Sequence, residues 1–283
     1  MRTRTRRLGS VLLGIALFIA LVYGILFFAQ DFVLFQPTSD LASWDYLLTQ
    51  PSFEAVEIVS GEKSWHGMLR HAEGEASVPL ILLFVGNGQN AAPIMRYVEL
   101  CGMWPYFGNY ACLVMDYAGY GINEGRASAK DMCEEALVAF DYASALPWVS
   151  GVIAGGYSIG TGPATYMAAN REVVGLILLA PFSNSYDLYN TVLPLFYGPM
   201  RLFVKHRFLS DTYAGSVRVP ALVVASRDDE VIPFASSEKL YASLGERGSF
   251  VTLADADHNS ILFHQTTLES IRGYLDALEG GEP

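Results

Sequence analysis

The chain opens on one long apolar run and then changes rhythm. Residues 8–29 carry no charge and are almost wholly apolar. At about 33 Å of helix, that run is long enough to cross a hydrocarbon core of about 30 Å. Beyond it, short apolar runs of strand length alternate with stretches of helical spacing. The strand-like runs are Leu80-Ile81-Leu82-Leu83-Phe84-Val85, Val152-Ile153-Ala154-Gly155, Val173-Val174-Gly175-Leu176-Ile177-Leu178-Leu179-Ala180, Ala221-Leu222-Val223-Val224-Ala225 and Ser249-Phe250-Val251-Thr252-Leu253. Residues 91–101, 129–145, 236–244 and 260–278 are spaced as helices, and 53–59 with 65–71 predict a leading antiparallel pair. Strands alternating with helices predict an α/β class, with a mostly parallel central sheet flanked by helices. No repeat or low-complexity linker divides the chain, so residues 1–30 read as a tail with a membrane anchor and 31–283 as one domain of ordinary size. Residues 181–218 break the rhythm. They are rich in Tyr, Phe, Leu and Pro and lie between two strand-like runs.

Charge sharpens the reading of the first segment. Arg2, Arg4, Arg6 and Arg7 precede the apolar run, and no acid occurs before Asp31. Positive residues tend to stay cytoplasmic, which predicts a single-pass membrane protein with its main domain on the other side. The alternative is a cleaved signal peptide. The run is long for that, and Phe27-Phe28-Ala29 puts a bulky residue at the outer small position of a cleavage site. An uncleaved anchor is therefore favoured. The 283 residues carry a formal charge of −11; without the four arginines the remainder has 14 basic and 29 acidic residues, a balance of −15. So acidic a domain is not expected to grip nucleic acid, and an anionic bilayer would weakly repel it, leaving membrane proximity to the anchor. Cys101, Cys112 and Cys133 read as small buried hydrophobes and allow at most one disulfide.

The candidate chemistry lies at the ends of the strand-like runs. Gly156-Tyr157-Ser158-Ile159-Gly160 follows one of them and precedes a helical stretch. Gly-x-Ser-x-Gly between strand and helix is how a nucleophilic serine is lifted onto a sharp turn. Two further strand-like runs end in Arg227-Asp228-Asp229-Glu230-Val231-Ile232-Pro233 and in Asp255-Ala256-Asp257-His258. Serine, acid and histidine thus follow one another in the chain, each at the carboxyl end of a strand, where an open parallel sheet places its site. Asp228 competes with Asp229 for the acid position, and the spacing to Val231 and Pro233 favours Asp229. His66, His71, His206 and His264 follow no core strand closely and read as surface or packing residues. Asp255, Asp257 and His258 lack a second ligand motif to close a metal site, and the two acids read as solvated loop groups. Gly86-x-Gly88 alone is too weak to imply a nucleotide, and there is no phosphate loop with Gly-Lys-Ser/Thr.

On the serine elbow, Asp229-Glu230-Val231-Ile232-Pro233, Gly86-Asn87-Gly88-Gln89-Asn90 and Asp116-Tyr117-Ala118-Gly119-Tyr120-Gly121, residues 53–278 resemble the α/β-hydrolase superfamily. The similarity is greatest to its membrane-anchored esterase, thioesterase and lysophospholipase-like branch. The resemblance implies Ser158 as nucleophile, His258 as base and Asp229 as the acid that orients it. It implies an oxyanion hole made of the Ile159 amide and a second amide from Asn87 or Gly88, with no cofactor and no metal. Two positions depart from the family pattern: Val85 stands where a histidine is frequent, and Ala118 where an arginine is frequent. Residues 181–218 correspond to the cap insertion of such folds. Tyr186, Leu188, Tyr189, Leu193, Leu195, Phe196, Tyr197, Met200, Phe203 and Phe208 are there to line an acyl pocket or to pack the cap onto the sheet. The expected partner is a small-molecule or lipid-like acyl substrate. A serine aminopeptidase-like peptidase and a non-catalytic protein that has kept the fold remain the alternatives.

Overall fold

The structure is a computed structural model, and it describes residues 2–74 and 77–281. Met1 and residues 282–283, the outer limits of the two expected segments, lie outside the described residues. The first helix, α1, runs over Arg2–Leu34, and a short helix α2 over Leu41–Leu48 leads into the sheet. Eight strands follow: β1 Phe53–Ser60, β2 Lys63–Arg70, β3 Val78–Phe84, β4 Ala111–Met115, β5 Val149–Tyr157, β6 Gly175–Leu179, β7 Ala221–Ser226 and β8 Gly248–Leu253. Their spatial order is β1-β2-β4-β3-β5-β6-β7-β8. β1 and β2 pair antiparallel, as do β2 and β4, and every other pairing is parallel.

The helices α3 Ala91–Leu100, α4 Ala129–Ser144, α5 Thr161–Asn170, α8 Phe234–Leu244 and α9 Gln265–Gly280 cover the sheet, and the short helices α6 Ser185–Val192 and α7 Ser210–Ala214 lie between β6 and β7 in the chain. Strand periodicity sorts the core into two sides. Leu80, Leu82 and Phe84 of β3 join one buried cluster with Ala136 and Ala139 of α4 and Met167 of α5. Ile81 of the same strand joins the other, with Met95 of α3 and Ile271 of α9. Strands β4, β6 and β7 are buried at every position, as continuous apolar runs covered on both faces should be.

Three expectations need correction. α1 does not end at residue 30: no Pro or Gly interrupts it there, and its last turns are held from outside, so the 30/31 boundary falls inside a helix. The helix expected over 260–278 is broken into a short turn, Ile261–Phe263, and α9. His264 is the break: it sits in extended backbone, and its side chain accepts the Thr266 N–H as an N-cap. Cys101 is exposed at the end of α3, while Cys112 and Cys133 are buried as expected and all three are free thiols. His206 falls on the packing side of its expected reading, its ring edge-on to that of Phe35 at 4.7 Å between centroids. It is buried, with Nε2 against the Asp31 carboxylate at 2.5 Å.

Candidate active site

The sheet brings the three motif loops to one edge. Ser158 follows β5, Asp229 follows β7 and His258 follows β8, all at the carboxyl ends of parallel strands. β3 lies directly beside β5, so the loop after β3 flanks the serine turn.

The serine turn is strained in the way its sequence requires. Ser158 has φ +53°, one of two non-glycine residues among the described residues with a positive φ. Such a backbone costs about 1–3 kcal/mol and persists only where its surroundings enforce it. The two glycines permit the enforcement. A Cβ on Gly156 would lie 2.5 Å from the Gly160 carbonyl oxygen, and one on Gly160 would run into the Phe84 carbonyl of β3. Because both obstacles are backbone atoms, no side-chain movement relieves them. Gly160→Ala should therefore lower stability by roughly 3 kcal/mol, the upper end of overpacking costs. Gly273 lies in α9 with nothing within 4 Å of an added Cβ. There alanine should be neutral or gain up to ~1 kcal/mol from helix propensity. Thermal melts of the two variants check the contrast, and equal melting points would refute the steric account.

The polar groups form one row. His258 Nε2 is 2.9 Å from Ser158 Oγ, and His258 Nδ1 is 2.8 Å from Asp229 Oδ2. The other Asp229 oxygen accepts the Val231 and Ile232 N–H groups at 2.8 and 2.7 Å. The Glu230 carboxylate accepts the His258 N–H at 3.1 Å, and Tyr157 Oη donates to the His258 carbonyl at 2.7 Å. The Tyr157 ring stacks on the imidazole, 5.4 Å between centroids. Ser158 and His258 are each only 6% exposed, and the Asp229 side chain 2%. Asp228 points its chain elsewhere: it is exposed, and its N–H bonds Ser226 Oγ. Among the described residues no group of His, Cys, Asp and Glu is arranged to hold a metal ion.

The loop after β3 is braced without the family's histidine. Val85, at that position, is fully buried, and its carbonyl accepts the Tyr117 hydroxyl at 2.8 Å. Gln89 Oε1 accepts the Gly86 N–H at 3.0 Å. Asn87 Oδ1 accepts from the Tyr120 hydroxyl at 2.7 Å and from the Gln36 N–H at 2.7 Å. Thr38 Oγ1 donates to the Gly88 carbonyl at 2.9 Å. The segment leaving α1 thus straps this loop down, a contact that sequence spacing does not reveal. Burial pushes the Tyr120 hydroxyl up to about 12, partly offset by the Gln36 N–H, which donates to its oxygen at 3.0 Å. Neither the Asn87 N–H nor the Gly88 N–H has a hydrogen-bond acceptor among the described residues. Ile159 lies in the first turn after the elbow, where helical amides lack intrahelical partners.

Asp116 supports the same region from beneath. It is buried; Oδ1 accepts the Ala91 N–H at the start of α3, and Oδ2 has no partner. Burial pushes its carboxyl up to about 7 from the ordinary 3.8, and burial also raises Glu135, whose two oxygens are unpartnered. Between those two values the folded chain holds a proton that the unfolded chain releases. The Asp116 contribution to stability should therefore be lost as pH rises from about 4 to about 7. Asp116→Asn removes that titration. Melting of the full chain in detergent from pH 5 to 8 should show a flatter slope for the variant; parallel slopes would sink the assignment.

The cap expectations divide. Tyr189 and Phe196 are buried with Val204 in a small cluster of their own, and Phe208 packs on Phe182. These are packing residues. Tyr186, Leu188, Leu193 and Met200 are half-buried, and Leu195, Tyr197 and Phe203 face outward.

Strand order, serine elbow and flanking helices define an α/β-hydrolase fold. No family model matches the chain. Solved structures with this fold include Est1E from Butyrivibrio proteoclasticus with ferulic acid bound, at TM-score 0.67 and 18% identity over 80% of this chain and 100% of that one. Another is an acetyl xylan esterase from Paenibacillus sp. R4, at TM-score 0.62 and 15% identity over 89% and 98%. In sequence, the chain is 28% identical to an uncharacterized protein of Mycobacterium tuberculosis over 78% of this chain and 77% of that protein. It is 30% identical to the lysophosphatidylserine lipase ABHD12 of Rattus norvegicus over 61% of this chain. It is 28% identical over 57% to an alpha/beta hydrolase domain-containing protein of Caenorhabditis elegans. The chain spans about half the length of these last two relatives, 47% of each. The chain thus has the α/β-hydrolase fold and is similar in sequence to proteins named as α/β-hydrolases and lipases.

Proposed function

We propose that this chain is a membrane-tethered serine hydrolase that cleaves ester or thioester bonds of apolar acyl substrates through an acyl-enzyme on Ser158. The observation that carries the reading is the hydrogen-bonded row Ser158–His258–Asp229, at 2.9 and 2.8 Å. A serine hydroxyl is a poor nucleophile until a neighbouring base takes its proton. As Ser158 Oγ attacks the acyl carbon, its proton passes to His258 Nε2, and Asp229 stabilises the imidazolium through Nδ1. The carbonyl oxygen gains negative charge and accepts from the Ile159 amide and from that of Asn87 or Gly88, each worth roughly 3–4 kcal/mol in the transition state. Collapse breaks the bond to the leaving group, which takes the proton from His258. Water then gives a proton to His258 as its oxygen attacks the acyl carbon; the bond to Oγ breaks, His258 returns the proton to Oγ, and the acid and free Ser158 are released.

The esterase and lipase names among the relatives and fold neighbours support hydrolysis of ester substrates, and the lysophosphatidylserine lipases support a lipid ester. The tether is α1: Val11–Leu34 has mean hydropathy 2.8 and is long enough to cross a bilayer. With the arginine tail cytoplasmic, the catalytic domain lies on the far side. The test is hydrolysis by the detergent-solubilised full chain across acyl lengths, lysophospholipid head groups, thioesters and aminoacyl amides. Turnover should rise with acyl length and be absent for amides; preferred amide turnover would replace this reading by a peptidase. A reporter fused after Pro283 should be active only outside the cytoplasm, and cytoplasmic activity would reverse the orientation.

A further inference from the structure

The cap is bound to α1 well inside the apolar span. The Phe203 ring lies 4.7 Å from that of Tyr23, and the Gln30 side chain holds the Phe203 carbonyl and the Lys205 N–H, both at 2.8 Å. Lys205 pairs with Asp31 at 2.6 Å, and Leu34 packs on the Tyr189, Phe196 and Val204 cluster. The cap therefore runs beside the helix from Tyr23 to Leu34, about 16 Å at 1.5 Å per residue. Counted from the arginine tail, a hydrocarbon core of about 20 helical residues reaches only to about Phe28. Phe203 then touches the anchor below the hydrocarbon boundary.

The outward face of the cap suits that depth. Leu202 is 71% and Tyr197 58% exposed, with Leu195 and Phe203 beside them in sequence, while Phe28 and Phe32 are exposed on the adjoining helix. From Leu193 to Phe208 the chain has no acid, but carries Arg201, Lys205 and Arg207 within an otherwise strongly acidic domain. Arg201 lies over the Tyr186 ring, and Arg207 holds the Val204 and Leu202 carbonyls. The arginine ion pairs among the described residues are made by Arg171 and Arg272, so these two cations have no carboxylate. Exposed aromatic and aliphatic groups interleaved with cations are the composition of a surface seated at the headgroup boundary.

We propose that the cap face formed by Leu195, Tyr197, Leu202 and Phe203 is embedded in the phospholipid leaflet on the catalytic side, with Arg201 and Arg207 at the phosphates. The proposal rests on the tethered reading of α1. It deepens that reading, because amphiphilic substrate then reaches the nearly closed serine from the leaflet through the cap, not from bulk water. It also revises the expectation that the acidic domain is held off the bilayer: the repulsion is offset where the cap meets it.

The test is the depth of a nitrobenzoxadiazole label on Leu202→Cys. It uses the full chain in phosphatidylcholine vesicles, in a Cys101→Ser background because the other two thiols are buried. The control is Val174→Cys, exposed at the opposite end of β6. The Leu202 label should be quenched by doxyl lipid and at least five-fold less by aqueous iodide than the control. Iodide quenching equal to the control overturns the proposal, and so does protection from both quenchers, which would mean that protein covers the face. The same measurement in a Ser158→Ala chain separates the surface from the reaction. An intact depth signal with an inert wild-type enzyme would leave the seated cap standing and refute only the hydrolase reading.

Discussion

Ser158→Ala should abolish labelling by a fluorophosphonate probe and lower ester hydrolysis by about 10⁵–10⁶-fold, as loss of the nucleophile does where a triad acts as a unit. The size follows from what remains. The Ile159 amide and that of Asn87 or Gly88 would still face the substrate carbonyl, and those alone sustain only the residual rate over water that such sites retain. The substitution also separates chemistry from folding. Alanine keeps the Cβ, so the strain at φ +53° stays nearly as it is, and only the hydroxyl bonded to His258 is lost. The melting point should thus move by a few degrees at most while activity vanishes. Undiminished probe labelling in the variant would place the nucleophile elsewhere and end the reading of this elbow.

The effect also discriminates between the alternatives left by the sequence. A non-catalytic protein that merely kept the fold would show no difference between wild type and variant with any substrate. Such a protein would have little reason to hold a buried imidazole between a hydroxyl and a carboxylate at 2.9 and 2.8 Å. Both neighbours must be desolvated to be there, and desolvated polar groups lower stability unless each is paired.

Much of this arrangement was legible because it depends on local rules. Buried parallel strands read as continuous apolar runs, and residues at strand ends inherit their position from the sheet, so Ser158, Asp229 and His258 could be assigned to one edge from order alone. Gly156 and Gly160 mark the turn because two backbones approach there. What stayed hidden depends on contacts between distant parts of the chain. His206 and Asp31 are 175 positions apart, and neither stands in a motif. The strap from Gln36 and Thr38 onto Asn87 and Gly88 joins segments about fifty residues apart through single hydrogen bonds, which leave no periodicity. In the cap, apolar composition could not separate Phe208, which packs beneath, from Tyr197, which faces out. Helical patterning needs several turns to register, and the cap's helices have only eight and five residues.

Asp229→Asn should slow ester hydrolysis by about 10⁴-fold, while Asp228→Asn should stay within about two-fold of wild type. The argument rests on how the Asp229 carboxylate is held. Oδ1 accepts two backbone N–H groups, from Val231 and Ile232, and Oδ2 faces His258 Nδ1. An asparagine in that place cannot turn its NH₂ toward the two backbone donors, because donor would meet donor. Its oxygen must stay with Val231 and Ile232, which leaves its NH₂ pointing at Nδ1. The imidazole then accepts at Nδ1 and carries its proton on Nε2, the nitrogen that has to take the Ser158 proton. The geometry survives and the base does not. Asp228 is exposed and has no contact with His258, so the same change there leaves the tautomer alone. Two measurements check this: the rate of fluorophosphonate labelling, which reports how far Ser158 is activated, and the melting point, which should be nearly unchanged in both variants. A larger loss from Asp228→Asn would hand the orienting role to that residue. Equal, small losses from both would mean that His258 needs no carboxylate to serve as the base.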